Sequence, residues 1–280
     1  MVMTTLTQED AVLIEELDYL TDQVRREAST MGAQEVRFLV DTYYQMQEQR
    51  KATANQTRAL RESAEPIALL NHFEKQNAYT EKRIRQMLQA FAEGKRDASW
   101  AMSIRGIGPV IAAGLAAHID ITMAPTVGHI WRFAGLDPTL EWNKGEKRPW
   151  NAKLKTLCWK IGESFVKVCN HEDDIYGKIY AARKQLEIER NEAEQFADQA
   201  KAKLEKQKIG KATEAYKAYS KGKLPPAHIH SRAKRYAVKL FLAHYHHVAY
   251  EVAYGEAPPK PYILTQPNHT HYIAPPNWPM

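Results

Sequence analysis

The chain has 280 residues, 44% of them hydrophobic, so it is long enough for one large domain or two smaller ones with a real core. Its net charge of +6 favours a polyanionic partner. Two cysteines, Cys158 and Cys169, are too few for a disulfide-stapled secreted domain, and no apolar run approaches the ~20 residues of a membrane span. The N-terminus carries acids and threonines instead of a basic and apolar leader. We therefore expect a cytoplasmic protein that does not associate with membranes.

Charge is unevenly distributed along the chain. Residues 1–30 carry seven acids against two bases, a net charge of −5, whereas residues 221–240 carry six bases and no acid. Because residues 1–30 are acidic and residues 221–240 are basic, we expect the nucleic-acid-binding face to lie in the second half of the chain. DNA binding of this kind predicts association with the nucleoid.

Helical periodicity dominates residues 1–95, so the predicted fold class is all-α. Apolar residues predict a helix over 8–28 with Thr7 as its N-cap, a second over 34–62, and a third opened by Pro66. This N-terminal helical region is expected to form a bundle or a dimerising coiled coil.

Residues 96–170 are predicted to hold a helix-hairpin-helix core around Ile104–Ala113. Gly106 and Gly108 permit positive φ, and Pro109 suits the first position of the second helix. The free N–H groups of such a helix, with Arg105 beside them, accept a phosphate. The alternative is a tight helical hairpin that binds nothing.

Bases and tryptophans alternate over residues 141–170, which have a net charge of +4. This pattern fits a surface that tracks a phosphate backbone and stacks bases, or alternatively a solvated helix face over a tryptophan-rich core. Trp159 and Cys158 are expected in the core. The candidate nucleic-acid-binding residues are Arg105, Gly106, Gly108, Lys144, Lys147, Arg148, Lys153, Lys155, Arg232, Lys234 and Arg235.

The last third is predicted to contain an arm, a helix and a tail. Residues 171–224 are rich in Lys, Glu, Gln and Ala, which predicts a projecting helical arm with a break at Ile209-Gly210. A strong helical pattern over 225–254 is expected to return to the core. Residues 255–280 contain seven prolines and should lie extended on the surface or on a partner.

Two groups of residues invite a metal interpretation. His244, His247 and Glu251 would share one helical face, but no HExxH or paired-cysteine pattern accompanies them, so packing is the preferred interpretation. Asp173 and Asp174 precede a helix and are expected to cap it. Because phosphate-binding, dinucleotide-binding and serine-hydrolase motifs are also missing, we expect no metal and no cofactor.

Four sequence blocks resemble the C-terminal domain of the DEDD-type insertion-sequence transposases, the bridge-RNA-guided recombinases. In chain order they are 106–109 with 112–115, then 133–138, then 150–157, then 175–180 with the late helix 232–240. The resemblance covers about half of the chain and is interrupted by the segment 183–224. It implies a helical scaffold that holds DNA.

The chain departs from that family in its catalytic parts. The family's nuclease domain carries four acidic residues on a mixed sheet, whereas residues 1–95 are predicted to be helical. The family's nucleophilic serine follows the second block, but the loop 139–148 contains no serine, and its only hydroxyl, Thr139, comes too early. We therefore expect no catalytic residues.

These patterns together predict a nucleic-acid-binding protein of a mobile element or bacterial genome, with DNA the preferred ligand and structured RNA the alternative. Two other hypotheses stay open. One is an active recombinase or nuclease, alone or completed by a partner subunit. The other is a helical self-assembly protein, a homo-oligomer formed through the helical segments.

Overall fold

The computed structural model describes residues 21–63, 67–260 and 272–280. These residues form eleven α-helices and one 3-10 helix and contain no strand, which confirms the predicted all-α class. Among them, no helix combines the length and apolarity needed to cross a bilayer. The chain divides into two compact units, Met1–Met102 with Gly108–Asp120, and Ser103–Ile107 with Ile121–Met280.

The first unit is a helical bundle in which the two longest helices pack along each other. Its helices are α1 (Asp22–Ser29), α2 (Ala33–Glu62), α3 (Ala68–Glu93), α4 (Arg96–Met102) and α5 (Pro109–His118). The short helix α5 contacts both α2 and α3. Because Ala112, Ala113 and Gly114 are small, α5 approaches its neighbours closely and is buried over most of its length.

The predicted N-terminal helices are partly confirmed. The predicted helix over 34–62 is present as α2. The prediction of one continuous helix over 8–28 is wrong, because Thr21 is not helical. Thr21 has extended φ and ψ, and its hydroxyl accepts the N–H of Val24, so a helix begins at Asp22. Thr7 and Pro66 lie outside the described residues.

The second unit is built around one long helix. It contains a 3-10 turn (Ile121–Met123), α6 (Val127–Phe133), α7 (Ala152–Val168), α8 (Tyr176–Glu192), α9 (Ala197–Lys206), α10 (Glu214–Ser220) and α11 (Pro226–Tyr254). The helices α6, α7 and α8 all pack on α11, the predicted final helix. Pro226 opens α11, and Gly255, at φ +73°, ends it.

An aromatic cluster joins α7, α8 and α11. The rings of Phe165 and Tyr176 are stacked with centroids 4.9 Å apart, and Phe241 meets both edge-on. Gly177 lets α8 start against α7, because a Cβ there would lie 2.5 Å from the carbonyl oxygen of Phe165. The Asp174 carboxylate accepts the N–H groups of Gly177 and Lys178, which confirms its predicted capping role.

The predicted arm is wrong over its first half. Helix α8 packs on α7 and α11 and so belongs to the core. It ends at Glu192, where a turn with Glu194 at φ +58° leads into α9. The predicted break at 209–210 does separate α9 from α10, and these two helices pack on each other. They share a small apolar cluster of Phe196, Ala200, Tyr219, Leu224 and Ile229.

The division into units also differs from the predicted domains. The predicted boundary at residue 95 falls inside the first unit, which keeps both helices of the hairpin, α4 and α5. The connecting residues Ser103–Ile107 cluster with the second unit. Within the hairpin the chain therefore passes from one unit to the other and back.

Residues 272–280 lie on the second unit, as predicted for the tail. The Asn277 amide donates to the carbonyl of Ser103 at 3.2 Å, and the Trp278 indole donates to the Glu251 carboxylate. Residues 261–271 of the tail lie outside the described part of the chain.

Candidate nucleic-acid interface

The two glycines of the hairpin differ in conformation. Gly106 has φ +94°, as predicted, and its carbonyl accepts the Ser164 hydroxyl, which fixes the turn on α7. Gly108 has φ −95°, so it does not use the positive φ that a glycine permits. Gly108 is the N-cap of α5, followed by Pro109 at the first position. Arg105 is exposed.

Open space surrounds Gly108. A Cβ built there meets no atom within 4 Å, whereas one built at Gly106 lies 3.2 Å from both Ser164 Oγ and Val168 Cγ2. Gly108 begins the part of the hairpin in the first unit, and Arg105 and Gly106 lie in the second.

A turn after α6 brings two of the sequence blocks together. The Asn151 N–H donates to the carbonyl of Phe133 at 2.8 Å, and the Asn151 side chain caps α7. Gly135 has φ +65°, and a Cβ there would lie 2.8 Å from Trp150 Cγ and 3.0 Å from Lys155 Cδ. A glycine is required at this position because the indole and the lysine stem occupy the space of a side chain.

The loop before α7 holds a second tryptophan. The Trp142 indole donates to the carbonyl of Glu146 at 2.8 Å, and the Asn143 N–H donates to the Glu146 carboxylate. The rings of Trp142 and Trp150 meet edge-on with centroids 6.3 Å apart, and the Arg148 guanidinium lies 5.2 Å from the Trp142 centroid. These contacts give Trp142 a defined position although it is 38% exposed.

Lys155 is the centre of a group of like charges. Its Nζ lies 3.9 Å from the Trp150 centroid. Burial lowers the pKa of Lys155, and the nearby charges of Arg148 and Arg235 lower it further. The pKa of Arg235 is also lowered, by desolvation and then by Arg232. No described carboxylate lies within ion-pair distance of Arg148, Lys155 or Arg235.

Together with Trp159 these residues form what we name the cation–tryptophan surface. Trp159 lies one helical turn after Lys155 on α7 and is 60% exposed, so its predicted place in the core is wrong. The buried side of α7 runs through Leu154, Cys158 and Ile161, which turns Trp159 outward. Cys158 is in the core as predicted, and burial raises the pKa of its thiol to about 12. The surface consists of Trp142, Arg148, Trp150, Lys155, Trp159 and Arg235.

Two predicted phosphate contacts are instead held in ion pairs. Arg232 donates through Nε to the buried carboxylate of Glu187 at 2.7 Å and through Nη1 to Gln199 at 3.0 Å. Lys234 pairs with Glu163. We therefore remove Arg232 from the phosphate-binding set. Lys234 also lies near the surface, with its Nζ 5.9 Å from the Trp159 centroid.

The other predicted bases are solvent-accessible, and one further cation lies beside a tryptophan ring without having been predicted. Lys144 and Lys147 are exposed in the loop, and Lys153 is exposed in the first turn of α7. Lys239 was not predicted, yet its Nζ lies 4.1 Å from the centroid of Trp131, whose indole donates to the Lys239 carbonyl. Its position four residues after Arg235 on α11 was the available signal.

The histidines of α11 pack with aromatic rings and backbone. His244 uses both nitrogens, at 2.6 Å from the Tyr176 hydroxyl and 2.9 Å from the carbonyl of Ile273. His247 Nε2 lies 2.9 Å from Glu251. Within the described residues, no group of three His, Cys, Asp or Glu is placed to hold a metal ion.

No protein-family model matches the chain, and neither the curated proteins nor the solved structures contain a significant match. The likeness to the transposase domain stays a prediction from the four sequence blocks.

Proposed function

We propose that the chain binds nucleic acid through the sugar–phosphate backbone at the cation–tryptophan surface. The observation that carries the proposal is the grouping of Arg148, Lys155 and Arg235 without a carboxylate to neutralise them. Like charges held together are unfavourable until an anion arrives, and a phosphate backbone supplies several anions in a row. The nucleoid of a bacterial cell, or the DNA of a mobile element, offers such a ligand.

The sequence blocks support this assignment. The second block contains Gly135, the third contains Trp150 and Lys155, and the late helix contains Arg235. In the resembled family these blocks belong to a domain that holds DNA, and here they meet around one group of cations. The resemblance adds the ligand class, and the geometry adds the residues that would touch it.

The test compares the removal of one surface charge with the same change elsewhere. Lys155→Gln should weaken binding of a labelled DNA about tenfold, since a lost charge-assisted contact to phosphate costs about 1.4 kcal/mol. Lys217→Gln is the matched control, because Lys217 pairs with Glu214 on exposed α10. Equal affinity of the Lys155→Gln protein and the wild type would contradict the proposal.

The start of α5 is a second candidate contact. Gly108 has an extended conformation that valine also adopts, and its surroundings are open, so Gly108→Val should fold normally. If a phosphate backbone approaches the N-terminus of α5, the valine should block it and weaken binding. A folded Gly108→Val protein that binds DNA like the wild type would remove the hairpin from the interface.

We also propose that the surface binds without strand transfer. The nearby hydroxyls of Thr139, Ser164 and Ser231 donate to Asp137, to the Gly106 carbonyl and to the Ala227 carbonyl. The N–H and hydroxyl of Thr139 lower the pKa of Asp137, which makes that carboxylate a weak base. Supercoiled, linear and junction DNA incubated with magnesium or manganese should stay intact. Nicking that is lost in Thr139→Ala would support the recombinase hypothesis.

Self-assembly through the first unit is a second candidate function. Phe38, Leu69 and Phe73 on α2 and α3 are 69%, 85% and 46% exposed. Large exposed apolar side chains on paired helices are typical of contacts between subunits. Light scattering after chromatography should give a mass above that of one chain, and Phe38→Ser with Leu69→Ser should lower it. A wild type that stays monomeric at high concentration would exclude this function.

A further inference from the structure

Tryptophan rings on the second unit are paired with cations in a repeated way. Lys155 lies over Trp150, Arg148 over Trp142, Lys234 over Trp159 and Lys239 over Trp131, at 3.9 to 5.9 Å from the ring centroids. Four of the six tryptophans of the chain are therefore paired with a cation in this unit. Binding of phosphate requires the cations but does not require exposed aromatic rings.

Two of the four tryptophans keep a large solvent-exposed fraction. Trp142 is 38% exposed and Trp159 is 60% exposed, although tryptophan in a folded protein is on average well buried. Trp142 is held by its indole bond to Glu146 and by its edge contact with Trp150. Trp159 projects from the regular helix α7, with Lys234 Nζ 5.9 Å from its ring centroid.

We propose that the ligand of the cation–tryptophan surface is single-stranded nucleic acid, whose bases stack on Trp142 and Trp159 while its phosphates contact Arg148, Lys155 and Arg235. This inference rests on the proposed function and narrows it. In a duplex the base faces are already stacked on one another, so exposed indoles find no partner there. In a single strand each base offers a free face next to a phosphate, which matches rings placed beside cations.

The arrangement also predicts little sequence preference. Every base has a face that can stack on an indole, and the cations contact only phosphate. Readout of base edges would need hydrogen-bonding side chains aimed at the bases. In this surface the indole rings are available to stack on bases, and the positive charges are available to contact the phosphates of the backbone.

The experiment measures the affinity of the full chain for a labelled dT20 strand and for a blunt 20-base-pair duplex at the same salt concentration. The wild type should prefer the single strand. Trp159→Ala should lower single-strand affinity between about 5-fold and 150-fold, the effect of removing one base-stacking ring, and should lower duplex affinity by a smaller factor. Trp159→Phe, which keeps an aromatic face, should restore most of the loss. Trp142→Ala and Trp142→Phe repeat the comparison at the second ring.

The outcomes separate this inference from the proposed function. If Lys155→Gln weakens binding but both tryptophan-to-alanine variants bind dT20 like the wild type, the surface binds phosphate and the stacking proposal is wrong. If the wild type prefers the duplex, the proposal is also wrong. If neither Lys155→Gln nor the tryptophan variants change binding, both proposals fail. Circular dichroism melting confirms that each variant is folded, which is expected because both rings are solvent-exposed.

Discussion

Arg232 and Arg235 lie one turn apart on α11, but their surroundings differ. Arg232 reaches the buried carboxylate of Glu187, which also receives Arg183 at 2.8 Å. Arg235 faces Lys155 and other cations. Arg232 belongs to an internal ion pair. Arg235 lies near other cations, so we expect its charge to be neutralised by a bound anion. The partner of each side chain, and not the residue type alone, therefore decides which residues of a basic stretch are assigned to a ligand.

We expect the largest loss of stability when the ion pair between Arg232 and Glu187 is removed. Glu187 is 1% exposed in its side chain, and burial alone would raise its pKa, but hydrogen bonds from Arg232 and Arg183 lower it. Arg232→Ala should lower the free energy of unfolding by about 3 kcal/mol, because it weakens the compensation of a buried charge.

Arg235→Ala is the matched control for stability. It removes a repulsion and should leave the free energy of unfolding within about 0.5 kcal/mol of the wild type. Urea unfolding of both variants checks the pair of predictions. Equal destabilisation by the two changes would contradict the distinction drawn between these arginines.

Acid should act on a different part of α11. Burial lowers the pKa of His244 to about 4, and the charge of His247 lowers it as well, while the bond to the Ile273 carbonyl opposes these effects. Because the folded-state pKa of His244 lies below the ordinary 6.5, its contribution to the free energy of unfolding is fully present above pH 6.5. That contribution is lost as the pH falls toward 4.

For His244 alone the loss between about pH 7 and about pH 5 should be about 2 kcal/mol. His244→Gln should remove that part of the pH dependence. Unfolding by urea at the two pH values, in the wild type and in the variant, measures it. The same slope in both proteins would show that His244 is not the group responsible.

The hairpin glycines give the smallest expected difference. Gly106→Ala places a Cβ at φ +94° and against Ser164, so it should cost about 1 to 2 kcal/mol. Gly108→Ala should change the free energy of unfolding by less than about 0.5 kcal/mol, since its conformation and surroundings accept a side chain. Thermal melting of the two variants tests the contrast, and a larger loss at Gly108 would refute it.

The sequence predicted some of the helices and some of the surface residues. Periodicity placed α2 and α11 correctly, because apolar residues recur at helical spacing in both segments. The early end of α8 was missed because the residues at the turn, Ala193 and Glu194, are ordinary helix formers. The arm was misjudged because α8 is buried through Tyr176, Gly177 and Tyr180, which a composition average over the segment hides.

Partners could not be predicted from the sequence either. Glu187 and Arg232 are far apart in the chain, and only the packing of α8 on α11 brings them together. Trp159 was assigned to the core because tryptophan is usually buried, while its neighbour Cys158 occupies the buried stripe.

The salt dependence of DNA binding tests directly whether Arg148, Lys155 and Arg235 contact phosphate. The triple variant Arg148→Gln, Lys155→Gln, Arg235→Gln should have a slope of log affinity against log salt that is shallower by about 2 for single-stranded DNA, since each neutralised phosphate contributes about 0.7. Lys217→Gln should keep the slope of the wild type. A slope unchanged in the triple variant would show that these three cations do not contact phosphate, and the account of the surface would be wrong.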